Sequence, residues 1–106
     1  MIVDHRVYTL RPGAVQTYLE LFEREGLPLY LQYCGKLVGY YVSDSGELNQ
    51  VIHLWSYESV EDRELRRTTL YLDPRWTAYL EAALQLIVKQ ESRLLKPTRF
   101  SPTLTD

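Results

Sequence analysis

The segment Leu37–Val42, with the sequence LVGYYV, constrains the fold most strongly because it is apolar on both sides. Successive side chains of a β-strand point to opposite faces of a sheet. One face would carry Leu37, Gly39 and Tyr41, and the other Val38, Tyr40 and Val42. A strand with one face in water alternates apolar with polar residues. We therefore expect both sheet faces to be covered, one by helices and the other by an identical sheet from a second subunit.

The spacing of apolar residues predicts the strands and helices. Strands are expected at Val3–Leu10, Leu37–Ser43, Asn49–Tyr57 and Val88–Lys96. A helix that begins at Ala14 should be interrupted at Gly26-Leu27-Pro28, because a proline inside a helix removes a hydrogen bond and clashes with the preceding turn. Ser59 and Asp73 are the expected N-caps of two later helices. The second of these has apolar residues at helical spacing: Trp76, Leu80, Ala83 and Ile87.

The resulting order, β-α-β-β-α-β, is the ferredoxin-like arrangement of the α+β class. It places four antiparallel strands in one sheet with helices on one face. Two such sheets, packed through their second faces, would close into a dimeric α+β barrel. With 106 residues the chain is expected to be a single domain, in which residues 1–100 form the ordered core and residues 101–106 a tail.

Composition excludes several classes of protein. The net charge of −2 argues against a nucleic-acid groove, which needs a basic excess. No apolar run approaches the ~18 residues that a membrane span needs. The opening residues lack the basic and apolar regions of a signal peptide, and the one cysteine, Cys34, leaves no intramolecular disulfide. We expect a cytoplasmic protein without a membrane span or a nucleic-acid partner.

Several segments, in order along the chain, resemble the NIPSNAP family. The most specific is GELNQVIHLWSYESVEDRELRR (residues 46–67), followed by the Asp-Pro-x-Trp of Asp73, Pro74 and Trp76. The segments RVYTLRPG (6–13), GKLVGYY (35–41) and LLKPTRFSP (94–102) are also similar to the family. The likeness covers nearly the whole chain as one NIPSNAP-like domain.

This resemblance implies a homodimeric α+β barrel and says less about activity. Animal relatives are longer, carry targeting sequence, and are associated with mitochondria and with vesicle or autophagy-related interactions. The chain looks like a small single-domain, bacterial-type member, and such members have no agreed reaction. The wider barrel superfamily includes cofactor-free monooxygenases, haem-degrading enzymes and stress-response proteins, so the fold leaves the function open.

The role of His53 is the main question that the sequence raises. In the third predicted strand, His53, Trp55 and Tyr57 share one face. In one interpretation His53 lines a ligand cavity as an acid, a base or a hydrogen-bond donor, with aromatic walls around it. In the other, which we favour, His53 hydrogen-bonds across the dimer and the aromatic residues are core. The candidate pocket residues are His53, Trp55, Tyr57, Arg6, Tyr8 and Tyr40. No catalytic residue is assigned.

Three arginines of the predicted third helical region, Arg63, Arg66 and Arg67, form a candidate anion-binding group. We favour the alternative of a solvated helix face, balanced by acidic neighbours three and four residues away. The two isolated histidines, His5 and His53, lack the clustered ligands of a metal site. No glycine-rich phosphate loop is present. We therefore expect no metal and no cofactor.

Two functions from different classes remain. The favoured one is a non-catalytic homodimeric barrel that binds a small molecule or a protein partner. The alternative is a cofactor-independent monooxygenase-like enzyme, whose dry pocket holds an electron-rich substrate beside one proton acceptor, either His53 or a tyrosine. An enclosed cavity that reaches His53 would favour the enzyme, and a filled core the binding protein. Whether the chain is an enzyme stays open.

Overall fold

The computed structural model describes residues 1–102. Its strands are β1 (Ile2–Leu10), β2 (Lys36–Val42), β3 (Gln50–Tyr57) and β4 (Ile87–Leu95). Its helices are α1 (Val15–Leu21), α2 (Leu27–Tyr33), α3 (Val60–Tyr71) and α4 (Pro74–Ala83), with a π-helical turn at Phe22–Gly26 between α1 and α2. Residues 103–106, most of the expected tail, lie outside the described residues.

The four strands form one antiparallel sheet in the order β2-β3-β1-β4. β1 and β3 are therefore the central strands, and in their register Arg6 lies opposite His53. The helices pack on one face of this sheet, where the buried core lies. The ferredoxin-like βαββαβ fold of the α+β class is confirmed, and its pairing with a second copy remains a prediction.

β2 departs from the strict alternation that the sequence predicted. Its pairing with β3 shifts between Leu37 and Gly39, so that Leu37 lies opposite Trp55 and Tyr40 lies opposite His53. Directly opposed residues share a sheet face, and an irregularity of this kind inserts one extra residue into a strand. Leu37 therefore faces the helices together with Tyr40. The prediction that Leu37 shares a face with Gly39 is wrong.

The interruption expected at Gly26-Leu27-Pro28 is confirmed and takes the form of the π-helical turn. Pro28 lies in the first turn of α2, directly after the π-helical turn, and a first turn is where a helix tolerates proline. Gly26 leaves room for α4. A Cβ at Gly26 would lie 2.6 Å from Cδ1 of Phe22 and 2.9 Å from Cζ of Tyr79. This glycine thus permits the close packing of α4 against the turn.

Both expected N-caps are confirmed. Oγ of Ser59 accepts a hydrogen bond from the backbone N–H of Asp62 at 3.0 Å. Oδ1 of Asp73 accepts one from the backbone N–H of Arg75 at 2.9 Å. Each side chain satisfies an amide that the first helical turn leaves without a partner.

The end of α4 differs from the prediction. The helix ends at Ala83, although the apolar spacing continued to Ile87. Ile87 instead begins β4 and lies opposite Leu10 of β1. Its spacing from Ala83 coincides with a helical period because a partly buried strand residue follows a short turn.

The sheet face opposite the helices is uncovered in the single chain, and three of its strands make it apolar. They contribute Val3 and Val7 of β1, Val38 and Tyr41 of β2, and Ile52 and Leu54 of β3. The Tyr41 side of this face is open, since Tyr41 is 56% exposed. The edge strand β4 adds charges to the same face: Lys89, Glu91 and Arg93. Polar residues share the face, among them His5, which lies opposite Leu54. An exposed group of apolar side chains of this kind is typical of an interaction site.

The helices within residues 1–102 are all too short or too polar to cross a lipid bilayer. The longest, α3, has 12 residues.

Candidate functional site

A cavity of about 270 Å³ lies between the sheet and the helices. The strands contribute Arg6, Tyr8 and His53, and the helical segments contribute Tyr18, Phe22, Arg67, Trp76, Tyr79, Leu80 and Ala83. Ala83 is buried, and its small side chain leaves space among the large aromatic rings. Tyr71, Leu84 and Gln90 also line the cavity and are exposed, which places its mouth beside them.

Behind the strand side of the cavity lies the buried carboxylate of Asp4, which is 0% exposed and binds Arg6 of the cavity wall. Oδ2 of Asp4 accepts hydrogen bonds from Nη1 of Arg6 at 3.2 Å and from Nε of Arg63 at 2.9 Å. Oδ1 accepts one from Oγ of Ser92 at 2.8 Å. These partners belong to β1, α3 and β4, so one carboxylate connects three elements. Two guanidinium groups share it, and Arg63 also pairs with the exposed Glu64 at 3.0 Å, so the charges of this cluster balance.

Asp4 is ionised at neutral pH. Burial alone would raise the pKa of this carboxyl group, but Arg6, Ser92 and Arg63 favour the charged form and together lower its pKa below the usual value. The same bonds fix Arg6, whose Nε also donates to Oη of Tyr8 at 2.9 Å. The Arg6 guanidinium is therefore held in the cavity wall.

His53 is a hydrogen-bond donor in its resting state. Its Nδ1 lies 2.7 Å from Nε1 of Trp55, two residues along β3. An indole nitrogen can only donate, so Nδ1 accepts, and the proton of the neutral imidazole resides on Nε2. Burial and the nearby charge of Arg6 lower the pKa of His53 to about 3. The ring is therefore neutral at physiological pH, with an N–H at Nε2.

Two tyrosines hold the imidazole plane. The ring of Tyr40 stacks on His53 with centroids 4.4 Å apart and planes inclined by 13°. The ring of Tyr8 meets His53 edge-on, at 4.8 Å and 85°. The hydroxyl of Tyr40 is in turn 3.0 Å from that of Tyr18. His53 is thus fixed by ring contacts with two tyrosines and by one hydrogen bond.

Two buried donors of the cavity wall have no hydrogen-bond partner within residues 1–102. They are Nε2 of His53 and Nε1 of Trp76. Leaving a buried polar group without a partner costs about 1–3 kcal/mol. Most buried polar groups in proteins are satisfied, so exceptions point to a bound water or ligand. Both rings line the same cavity.

Arg67 brings a second guanidinium to the cavity. Its Nη1 donates to Oη of Tyr30 at 2.6 Å, and its guanidinium carbon lies 5.7 Å from the ring centre of Tyr71. Burial raises the pKa of Tyr30 well above its usual value, so this phenol is neutral and does not compensate the charge. Within residues 1–102, Arg67 has no carboxylate partner. The cavity therefore contains a positive charge without a counter-ion.

Three of the six candidate pocket residues line this cavity: Arg6, Tyr8 and His53. Tyr40 and Trp55 lie behind His53 and orient it.

Tyr57 is separate from this group, since it lines a surface groove beside Cys34 and Arg66.

The interpretation that we favoured for His53 does not fit the position of His53. His53 is 1% exposed and faces the helices, so it cannot hydrogen-bond across a dimer formed through the open sheet face. His53 forms part of the cavity wall instead.

The three candidate anion-binding arginines point to different places. Arg67 enters the cavity, whereas Arg63 binds Asp4 behind it. Arg66 pairs with Asp62 at 2.9 Å and has a side chain that is 45% exposed. The favoured solvated-face interpretation thus describes Arg66 but not the other two. That the three arginines form one anion-binding site remains a hypothesis. It is not supported by their side chains, which point in different directions.

The helix side of the cavity was not predicted. Tyr18, Phe22, Trp76 and Tyr79 belong to apolar helix faces, and Trp76 was predicted as core. Apolar periodicity indicates a buried face but does not distinguish a filled core from a cavity wall. The signal that was present is a size mismatch, because Ala83 follows larger residues on the same face of α4.

Metal ligands are not clustered in the part of the chain that the structure describes: no group of three or more His, Cys, Asp or Glu side chains is suitably placed. Cys34 lies outside the cavity, and burial raises the pKa of its thiol. The groups that the cavity wall does contain are hydrogen-bond donors, aromatic rings and positively charged guanidinium groups.

Known proteins agree with this picture of the fold. The NIPSNAP family model matches residues 3–102. Human NipSnap homolog 3B is 35% identical over 95% of this chain. The matched part is 41% of the length of that human protein. A solved NIPSNAP family protein of Agrobacterium tumefaciens is 46% identical, with a TM-score of 0.92 over 95% of this chain and 96% of that one. Another from the same organism, of unknown function, is 39% identical, with a TM-score of 0.94 over 98% of this chain and 94% of that one.

A more distant similarity concerns the fold alone. A solved antibiotic biosynthesis monooxygenase is 8% identical, with a TM-score of 0.64 over 92% of this chain and 99% of that chain. At this identity the likeness carries no information about the reaction.

The lowered pKa of His53 predicts how stability depends on pH. The unfolded chain binds a proton at His53 near pH 6.5, whereas the folded chain stays neutral to about pH 3. Stability is therefore lost as the pH falls below about 6.5, and between about pH 7 and pH 4.5 this residue alone lowers the free energy of unfolding by about 2–3 kcal/mol. Denaturant unfolding should show a correspondingly smaller loss in His53→Gln, which cannot titrate. Equal losses in the two proteins would show that His53 is not a buried neutral group.

Proposed function

We propose that this chain, which belongs to the NIPSNAP family, is a homodimeric barrel that binds a small organic molecule between sheet and helices. One solved member of the family is of unknown function. The observation that carries this proposal is the cavity of about 270 Å³ next to His53. It combines aromatic walls with a few oriented polar groups, the composition typical of small-molecule sites.

Dimerisation is supported by the open sheet face. Val3, Val38 and Leu54 lie around a shallow depression on this face, beside the C-terminal segment that follows β4. A second copy of the same sheet offers a matching apolar surface about a twofold axis. The alternating charges of β4, where Lys89 and Glu91 are 3.4 Å apart, would lie at the rim of such an interface. Packing of the two sheets would close the barrel.

The cavity also bears on the enzyme alternative. It reaches His53, which by itself would favour a cofactor-independent monooxygenase-like enzyme. Such an enzyme needs a proton acceptor beside its substrate. His53 offers an N–H to the cavity, and burial raises the pKa of Tyr18 to about 12, which keeps that phenol protonated. These groups donate rather than accept, so a binding function is the better proposal.

Two further aspects belong to this proposal. We take residues 1–106 as one functional domain, in agreement with a single core that links all described elements. We also take the cytoplasm as its location, because a single cysteine, Cys34, gives no sign of an oxidising compartment.

A matched pair of substitutions tests the dimer. Leu54→Lys places a charge in the centre of the apolar sheet face, and burying it at an interface would be unfavourable. We expect this variant to be monomeric in light-scattering measurements while the wild type is dimeric. Leu65→Lys is the control, because Leu65 is 68% exposed on α3, and it should stay dimeric. A dimeric Leu54→Lys protein would mean that the subunits associate through another surface.

A second pair tests the cavity. Ala83→Leu fills it from α4, whereas Ala82→Leu adds the same atoms at an exposed neighbouring position. In a ligand-observed NMR screen of small aromatic fragments, we expect binding to the wild type and to Ala82→Leu, and its loss in Ala83→Leu. A folded Ala83→Leu protein that binds the same fragments would place the site elsewhere. A wild type that binds no fragment would contradict the proposed function.

A further inference from the structure

We propose that the occupant of this cavity is an organic anion, a carboxylate or enolate attached to a planar apolar body about one ring in size. Its charged end would lie at Arg67 and accept hydrogen bonds from Nε2 of His53 and Nε1 of Trp76. This inference rests on the proposed small-molecule function and specifies the chemical class of the ligand.

The first support is the balance of charge. Two guanidinium groups, those of Arg6 and Arg67, line the cavity, and no carboxylate of residues 1–102 does. Asp4 compensates Arg6, because Arg63, which shares this carboxylate, also pairs with Glu64. Arg67 donates to the neutral hydroxyl of Tyr30. The site therefore has positive charge that only a ligand or solvent ions can compensate.

The second support is the type of polar group that is left without a partner. The Trp55 hydrogen bond to Nδ1 places the His53 proton on Nε2, and an indole Nε1 can only donate. Both groups of the cavity wall that lack a partner, at His53 and Trp76, are therefore donors. A ligand rich in donors, such as an amine, would leave them unsatisfied and would face the arginines with like charge. A ligand with several acceptor atoms satisfies both.

The third support is the shape and polarity of the remaining wall. Aromatic rings of Tyr18, Phe22 and Tyr79 and the aliphatic side chains of Leu80 and Ala83 form most of it. The volume of about 270 Å³ suits one ring with a short substituent. A multiply charged phosphate would lose its hydration against this apolar wall and would meet only one guanidinium without a counter-ion. A singly charged organic acid matches both parts of the site.

The experiment compares an acid with its neutral isostere. Benzoate and benzamide have nearly the same shape and differ in charge, and both are titrated at neutral pH and constant ionic strength. The chain has two tryptophans, so two indole N–H signals report the environments of Trp55 and Trp76 in ¹H–¹⁵N spectra. We expect the Trp76 signal to shift, with a dissociation constant for benzoate that is lower than that for benzamide by about tenfold or more, as for hydrogen bonds to a charged group.

Substitution of Arg67 assigns the charge. In Arg67→Gln, benzoate should bind no more tightly than benzamide, while the affinity for benzamide is retained. Arg66→Gln is the matched control, because Arg66 lies one residue earlier on α3, pairs with Asp62 and does not line the cavity. This variant should keep the preference of the wild type. Arg67→Lys, which keeps a positive charge, should retain part of it.

The outcomes separate this inference from the proposal on which it rests. Equal affinities of the wild type for benzoate and benzamide would overturn the anionic ligand class and leave a small-molecule cavity in place. A preference that survives in Arg67→Gln would overturn the role of Arg67. If neither compound moves the Trp76 signal, both the ligand class and the small-molecule function are contradicted. The comparison in the wild type does not depend on the stability of any variant.

Discussion

The buried charge of Asp4 is the constraint on which much of this structure depends. A carboxylate at the centre of a sheet is stable only when it is paired and hydrogen-bonded, and removing a partner of a buried ion pair costs about 3–5 kcal/mol. Its partners, Arg6, Arg63 and Ser92, connect β1 with α3 and β4. Fixing Arg63 also fixes the rotation of α3, and Arg67, one turn later, faces the cavity as a result. The requirement to neutralise one buried acid thus positions both guanidinium groups of the site.

A second local interaction sets the chemistry of the cavity. The indole of Trp55 donates to Nδ1 of His53 within one strand, and the imidazole is thereby neutral with its proton on Nε2. His53 is a positioning element of the wall in this account, and its unpartnered N–H belongs to the same set of donors as that of Trp76. Structural and functional interpretations of this histidine are therefore compatible. The tyrosines that pack on it contribute to the core, and the proposed ligand would accept a hydrogen bond from its unpartnered N–H.

Much of the fold was predictable from local patterns, and the site was predictable only in part. Strand alternation and the caps at Ser59 and Asp73 are local, so the sequence contains them directly. The shift of pairing at Leu37 depends on how β2 meets β3, and its local signal in LVGYYV is Gly39, because a glycine inside a strand often marks a bulge. Arg67 was placed with its neighbours as a surface residue, because charge counts along a helix do not show which side chain turns inward. A cavity depends on volumes contributed by several elements, and apolar spacing describes those elements one at a time.

The protonation state of His53 tests the central claim most directly. Long-range ¹H–¹⁵N correlation spectra distinguish the two neutral tautomers of histidine from each other and from the charged ring, and the chain has only two histidines to assign. At neutral pH the account predicts a neutral His53 with its proton on Nε2, as the hydrogen bond from Trp55 requires. A proton on Nδ1, or a charged imidazole, would contradict it, since the cavity would then lose its donor at Nε2 or gain a different charge.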